Sequence, residues 1–171
     1  MPSGGNTKAN GNYKRMKKNK NFIKSLKCAV SGVLKPFRTE ANLRFHFMIA
    51  NLIVIFAYAF GITKTEWAIL IITIFSVIIA ELINTSVENA VDTATEEYKE
   101  TAKAAKDIAA GAVLLSAVCS LIIGFILFFN PEKIKAALIL IFTTPKLFVL
   151  SFVLFAVDIL FLIFGGEKKK G

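Results

Sequence analysis

Ile108 to Phe129 is an uninterrupted run of 22 residues without a charged side chain. Coiled as an α-helix it would be roughly 33 Å long, about the thickness of the hydrocarbon layer of a bilayer. Three more stretches have the same character. Phe45 to Ile62 carries no Lys, Arg, Asp or Glu, and Gly61 to Glu66 then makes a short turn. Trp67 to Ala80 is apolar and reaches spanning length only by continuing through Glu81 to about Asp92. Leu147 to Phe164 is just long enough for a fourth span, with Asp158 inside it, whereas Ala136 to Thr144 is too short to cross and Pro145-Lys146 interrupts. Composition agrees: 55% of residues are hydrophobic and only 19% charged, where a soluble domain has about a quarter charged. A soluble globule, a disordered chain and a disulfide scaffold are thereby excluded. The fold class is all-α, an integral membrane helical protein with an amino-terminal surface helix, three core spans and a fourth, carboxy-terminal one.

Charge placement gives the organisation. Eleven of the 21 basic residues lie within 1–44, against the single acid Glu40. Ahead of apolar spans this is a topology signal and an anchor to anionic lipid, not a nucleic-acid surface. Residues 1–20 read as a disordered, basic, cytoplasmic tail. From 21 onward Phe22, Leu26, Ala29, Val30, Val33 and Phe37 recur at spacings of three and four, with lysines mostly off that stripe. Such a helix lies in the headgroup plane and ends or kinks at Pro36. The core domain runs over 21–130 and an extension over 131–171. With the amino terminus in the cytoplasm, four spans return Lys168, Lys169 and Lys170 to the same side, together with a loop over 93–106. The two cysteines, Cys28 and Cys119, have no metal or redox spacing and are expected to be buried thiols.

The segment 81–92, ELINTSVENAVD, carries the chemistry. At about 100° per residue, Glu81, Asn84, Glu88 and Asp92 share one narrow stripe of a helix whose other faces are apolar. An ionisable side chain at mid-bilayer costs about 2.5–3.5 kcal/mol even on lenient scales, so stacking acids there requires compensation. Glu88 and Asp92 could simply reach the aqueous interface. Binding of a divalent cation explains the whole stripe better, because Mg²⁺ prefers carboxylate oxygens and brings nucleotide phosphate with it.

Near the interface, Glu96-Glu97-Tyr98-Lys99 precedes a helix start containing Lys106-Asp107, where amide groups and the dipole favour anions. A lysine in that place suits a phosphate, although lysines at span ends are commonly plain interfacial anchors. The lone histidine, His46, reads as a polar residue at helix entry. No GxxxxGK[ST], GxGxxG or HExxH sequence occurs. Nucleotide chemistry here must therefore rest on isolated carboxylates and a metal.

These residues resemble a known family. ELINTSVENAVD at 81–92, EEYK at 96–99, AKDIAAGAV at 105–113 and EANLRFH at 40–46 are similar in order and spacing to the small prokaryotic diacylglycerol kinases and undecaprenol kinases. The resemblance covers about residues 21 to 129. It implies a trimeric bacterial enzyme of the inner membrane, with a surface helix and three spans per protomer, that moves the γ-phosphate of MgATP to a lipid hydroxyl. It further implies Glu81 as general base, Glu40 and Glu88 as ligands of Mg²⁺, Glu97, Lys106 and Asp107 as nucleotide contacts, and Asn84 as an orienting residue. This chain departs from the family in having Asn21 where an arginine is common and Lys99 where a histidine follows Glu-Tyr. The extension falls outside the shared core.

The pattern E-x-N-x-R-x-H around Glu40 is more similar to the undecaprenol kinases of Gram-positive bacteria. Undecaprenol is therefore the favoured acceptor and diacylglycerol the alternative. From other classes, the acidic stripe could be an ion or proton path in a small transporter, or the chain a membrane adaptor. The transporter reading leaves Glu40 and Lys106-Asp107 without a role.

Overall fold

The computed structural model describes residues 6–94 and 99–166. Six α-helices follow one another among them: α1 (Asn6–Thr39), α2 (Ala41–Phe60), α3 (Lys64–Ala94), α4 (Glu100–Phe128), α5 (Pro131–Thr143) and α6 (Pro145–Phe164). Four of them, α2, α3, α4 and α6, are long and apolar enough to cross a membrane. The protein is an integral membrane helical protein, as the apolar runs require. Two compact units divide the chain, Met1–Lys35 and Pro36–Gly171.

Most of α1 belongs to the first unit; the helix passes Pro36 and ends at Thr39, within the second. Its start at Asn6 differs from the expected tail over 1–20. Lysine, arginine and methionine are good helix formers, and no proline lies between Asn6 and Lys35 to interrupt propagation.

In the second unit the helix ends are written locally. Gly61 closes α2 in the left-handed conformation, φ 73°, a backbone state that side chains other than glycine rarely adopt. Thr63 and Glu66 then form a reciprocal capping box. The Thr63 N–H donates to Glu66 Oε2 at 2.6 Å, and the Glu66 N–H donates to Thr63 Oγ1 at 3.3 Å. Asn130 caps α5 by accepting from the Lys133 N–H at 3.0 Å, with Pro131 in the first turn. Thr144 alone separates α5 from α6, whose first residue is Pro145.

The expected loop over 93–106 is largely helix: α3 extends to Ala94 and α4 begins at Glu100. The segment ETAKAAKD is rich in alanine and lysine, which favour helix in water as apolar residues do in lipid. Both helices therefore project past the apolar layer as one pair.

Helix α3 packs along α4, and α2 packs on α3, α5 and α6. The apolar core lies at the end of the bundle where α2 finishes, built from Ala57, Phe60, Leu70, Leu127 and Ala137. There Phe56 and Phe60 of α2 each meet Phe128 of α4 at 5.2 Å between ring centroids, edge to face. Elsewhere the usual soluble pattern is inverted. Ile72, Leu115, Leu121 and Phe152 face outward, while Thr73, Glu81, Asn84, Thr85, Arg44 and Asp158 are buried. In a bilayer, polar side chains are costly toward lipid and turn into the bundle. The same physics corrects the cysteine expectation, since Cys28 and Cys119 are both free and exposed. An apolar residue on a spanning helix needs no protein cover.

Helix α6 runs antiparallel to α2 and is fastened at two levels. At mid-helix the Asn51 amide donates to both carboxylate oxygens of Asp158, at 3.0 and 3.1 Å. Near its end, Phe161 lies beneath the Arg44 guanidinium at 6.0 Å.

Candidate active site

Glu81 sits on α3 at 3% exposure, at the level where α2 has just begun. Its Oε1 lies 3.2 Å from Nε2 of His46 on α2. One turn further along α3, Asn84 is also buried and donates from Nδ2 to Oε1 of Glu88 at 2.9 Å. The Asn84 Oδ1 is buried and makes no hydrogen bond among the described residues. Glu88 is half-buried and Asp92 exposed. The stripe of acids is thus a gradient that starts inside the bundle and emerges into water.

Glu40 is the non-helical joint between α1 and α2, with φ −109° and ψ 117°. Its carboxylate and that of Glu88 lie near enough to act electrostatically on Glu81. Arg44, one turn into α2, fixes this joint. Its Nη1 donates to the carbonyls of Phe37 and Arg38 at 3.1 and 3.3 Å, satisfying the carboxyl end of α1 just before Glu40.

Lys106 of α4 pairs with Asp92 of α3 across the helix interface. Asp107 is exposed beside it. Glu97 lies outside the described residues. The structure therefore places Glu81, Asn84 and Glu88 along one side of α3, with Glu40 within electrostatic reach of Glu81. It sets Lys106 and Asp107 further along the α3–α4 pair, where that pair leaves the apolar layer.

Two hollows meet at His46. One, of about 340 Å³, is lined by Asn42, Phe45, His46, Glu81 and Asn84, with Ala110 and Val113 of α4 opposite. The other, of about 540 Å³, is an apolar groove between α2, α3 and α4 that runs from His46 past Ile53 and Leu70 to Phe128. It exists because α2 and α4 close on each other at their aromatic ends and leave the rest open. His46 lines both hollows, and a residue expected to be a plain polar entry group is the hinge of the site. The spacing Asn42-x-x-x-His46-x-x-x-Ala50 is the signal that sequence reading passed over, because it puts the imidazole on the bundle-facing side of α2. The Asp92–Lys106 pair was likewise not foreseen, since it joins residues 14 apart on two helices.

Among the described residues no three His, Cys, Asp or Glu side chains form a metal cage. Mg²⁺ commonly takes one or two protein carboxylates and fills its shell with water and substrate phosphates. Glu40 and Glu88 are carboxylates of that kind, and the buried, unpartnered Asn84 Oδ1 is a further oxygen at the same place.

The geometry can be set beside known proteins. The pattern of the prokaryotic diacylglycerol kinase family matches residues 27–128. The chain belongs to that family. It is 40% identical over 107 residues to an undecaprenol kinase of Bacillus subtilis, a match covering 63% of this chain and 87% of that one. It is 38% identical over 112 residues to a diacylglycerol kinase of Synechocystis, covering 65% of this chain and 64% of that one. A diacylglycerol kinase of Haemophilus influenzae is 29% identical over 109 residues, covering 63% of this chain and 92% of that one. No solved structure matches. The protein is a membrane lipid kinase. Its family match ends at 128, so α5 and α6 lie beyond the shared core.

Proposed function

We propose that the protein transfers the γ-phosphoryl group of ATP to the hydroxyl of undecaprenol, returning a lipid carrier to cell-wall synthesis. The observation that carries this reading is the position of Glu81 and His46. The buried carboxylate faces a small polar hollow, and its partner opens onto an apolar groove suited to a hydrocarbon chain. Diacylglycerol is the second acceptor, favoured by the relatives that carry the name diacylglycerol kinase.

In the reaction the lipid oxygen forms a bond to the γ-phosphorus, the bond from that phosphorus to the bridging oxygen breaks, and ADP leaves. Glu81 takes the hydroxyl proton. Asn84 orients the centre by holding Glu88. Phosphoryl transfer needs positioning and charge neutralisation more than covalent help. Glu40 and Glu88 would hold Mg²⁺, which when bound neutralises charge on the phosphates. Lys106, Asp107 and Glu97 contact the nucleotide, and Lys106 must exchange its Asp92 partner for a phosphate oxygen. The enzyme works as a homotrimer in the inner membrane, with its amino terminus in the cytoplasm.

Purified protein in detergent, given labelled ATP with undecaprenol or diacylglycerol and with or without Mg²⁺, tests the reading. Mg²⁺-dependent labelling that is faster on undecaprenol is expected. Faster labelling of diacylglycerol moves the enzyme to phospholipid turnover, and labelling of neither by folded protein removes the kinase assignment.

A further inference from the structure

A base that accepts a proton must also lose it, and Glu81 is badly placed to do so. At 3% exposure it barely reaches the hollow that it lines, where its neighbour His46 is the more open side chain. Asn84, one turn along its own helix, spends its amide on Glu88. The partner that Glu81 does have is the imidazole of His46, 23% exposed as a side chain. Across the polar hollow, α4 contributes Ala110, Val113, Leu114 and Ala117, none of which carries a proton. On α2 the other lining residues are Asn42 and Phe45. Glu40 and Glu88 are the further charges felt at this place.

We propose that His46 is the proton relay of the site, a reading that rests on Glu81 being the base. After transfer, the proton passes from Glu81 to the unprotonated Nε2 of neutral His46, the imidazole releases its Nδ1 proton into the polar hollow, and proton exchange with water there restores the Nδ1–H form. Glu81 returns to a carboxylate, and no further reactant is consumed. An imidazole is suited to this because its two nitrogens can take and give a proton at different places. The location fits the task, since His46 is, among the described residues, the one lining both the polar hollow and the apolar groove.

The decisive variant is His46→Gln, whose amide can still donate to Glu81 but cannot carry a proton. Its kcat is expected to fall on the order of 100-fold, the usual worth of a positioned proton-transfer group, with the lipid KM little changed. In His46→Ala, added imidazole should restore part of the lost rate. A His46→Gln enzyme as fast as the parent, or a His46→Ala enzyme that imidazole does not help, overturns the proposal. A second measurement is independent of turnover. The chain has a single histidine, so one ¹⁵N-labelled imidazole reports on the pair alone. Its nitrogen shifts should change on Glu81→Gln, and unchanged shifts overturn the pairing whether or not either lipid is phosphorylated.

Discussion

Glu81 and Asp158 are both buried carboxylates on apolar helices, and each is held by a side chain of α2, yet their surroundings differ. Glu81 meets His46 where two hollows join, with further carboxylates nearby. Asp158 meets the Asn51 amide with both oxygens, inside the α2–α6 contact and outside both hollows. The first arrangement leaves room for a reacting molecule. The second satisfies one acid with one amide and sets the register of two helices. A buried acid in a membrane helix is therefore read by what it opens onto, since burial is common to both.

Substitutions at the two pairs should separate these roles. The largest effect is expected for Glu81→Gln, which should lower phosphate transfer on the order of 1,000-fold while the protein stays folded and oligomeric. Near-normal transfer by that variant would end the assignment of Glu81 as base. Asn51→Leu should act on stability instead, leaving Asp158 buried without its partner at a cost of about 3 kcal/mol. Joining it to Asp158→Leu should recover most of that loss, which denaturation of the single and double variants in detergent would measure. If the double variant is no more stable than Asn51→Leu, the pair is not the fastening of α6. Next, Lys106→Met should raise the KM for ATP about tenfold, the scale of one lost charge-assisted contact, with the lipid KM unaltered. Asp92→Asn, which releases Lys106 from its pair, should not raise it. The smallest effect is expected from Gly61→Ala, about 1 kcal/mol of stability lost to the left-handed turn, with transfer rates untouched.

Much of this architecture was legible in the chain. The spans and the buried stripe beginning at Glu81 follow from hydropathy and the helical period, because lipid imposes one simple rule on every outward face. The helical Glu100–Lys106 segment escaped notice because charge was read as loop, although charged residues with high propensity extend helices into water. Exposure of Cys119 was missed for a related reason: apolar was equated with buried. The pairs His46–Glu81, Asp92–Lys106 and Asn51–Asp158 could not be read at all, since each depends on how separate helices align. Of the residues implied by family resemblance, Asn84 and Glu88 share the Glu81 side of α3 and Glu40 acts on Glu81 electrostatically, while Lys106 and Asp107 stand further along. His46 ends the E-x-N-x-R-x-H pattern and shares a face with Asn42 and Ala50, yet nothing in the chain joins it to Glu81 before the helices are aligned.

The unequal lengths of the helices have a kinetic consequence. Beyond Glu81, α3 continues for 13 residues, about 20 Å, whereas α2 extends only 5 residues, about 8 Å, past His46 toward the same end. The polar groups of the α3–α4 overhang thus stand in the aqueous phase, while the groove opens within the hydrocarbon. One substrate is dissolved in three dimensions and the other in two. For the lipid, the quantity that saturates the enzyme is its mole fraction in the surrounding film and not its molarity in the tube. Adding inert detergent or phospholipid at fixed total acceptor should therefore slow the reaction, and diluting the whole sample with buffer at constant ATP should leave the rate per enzyme unchanged.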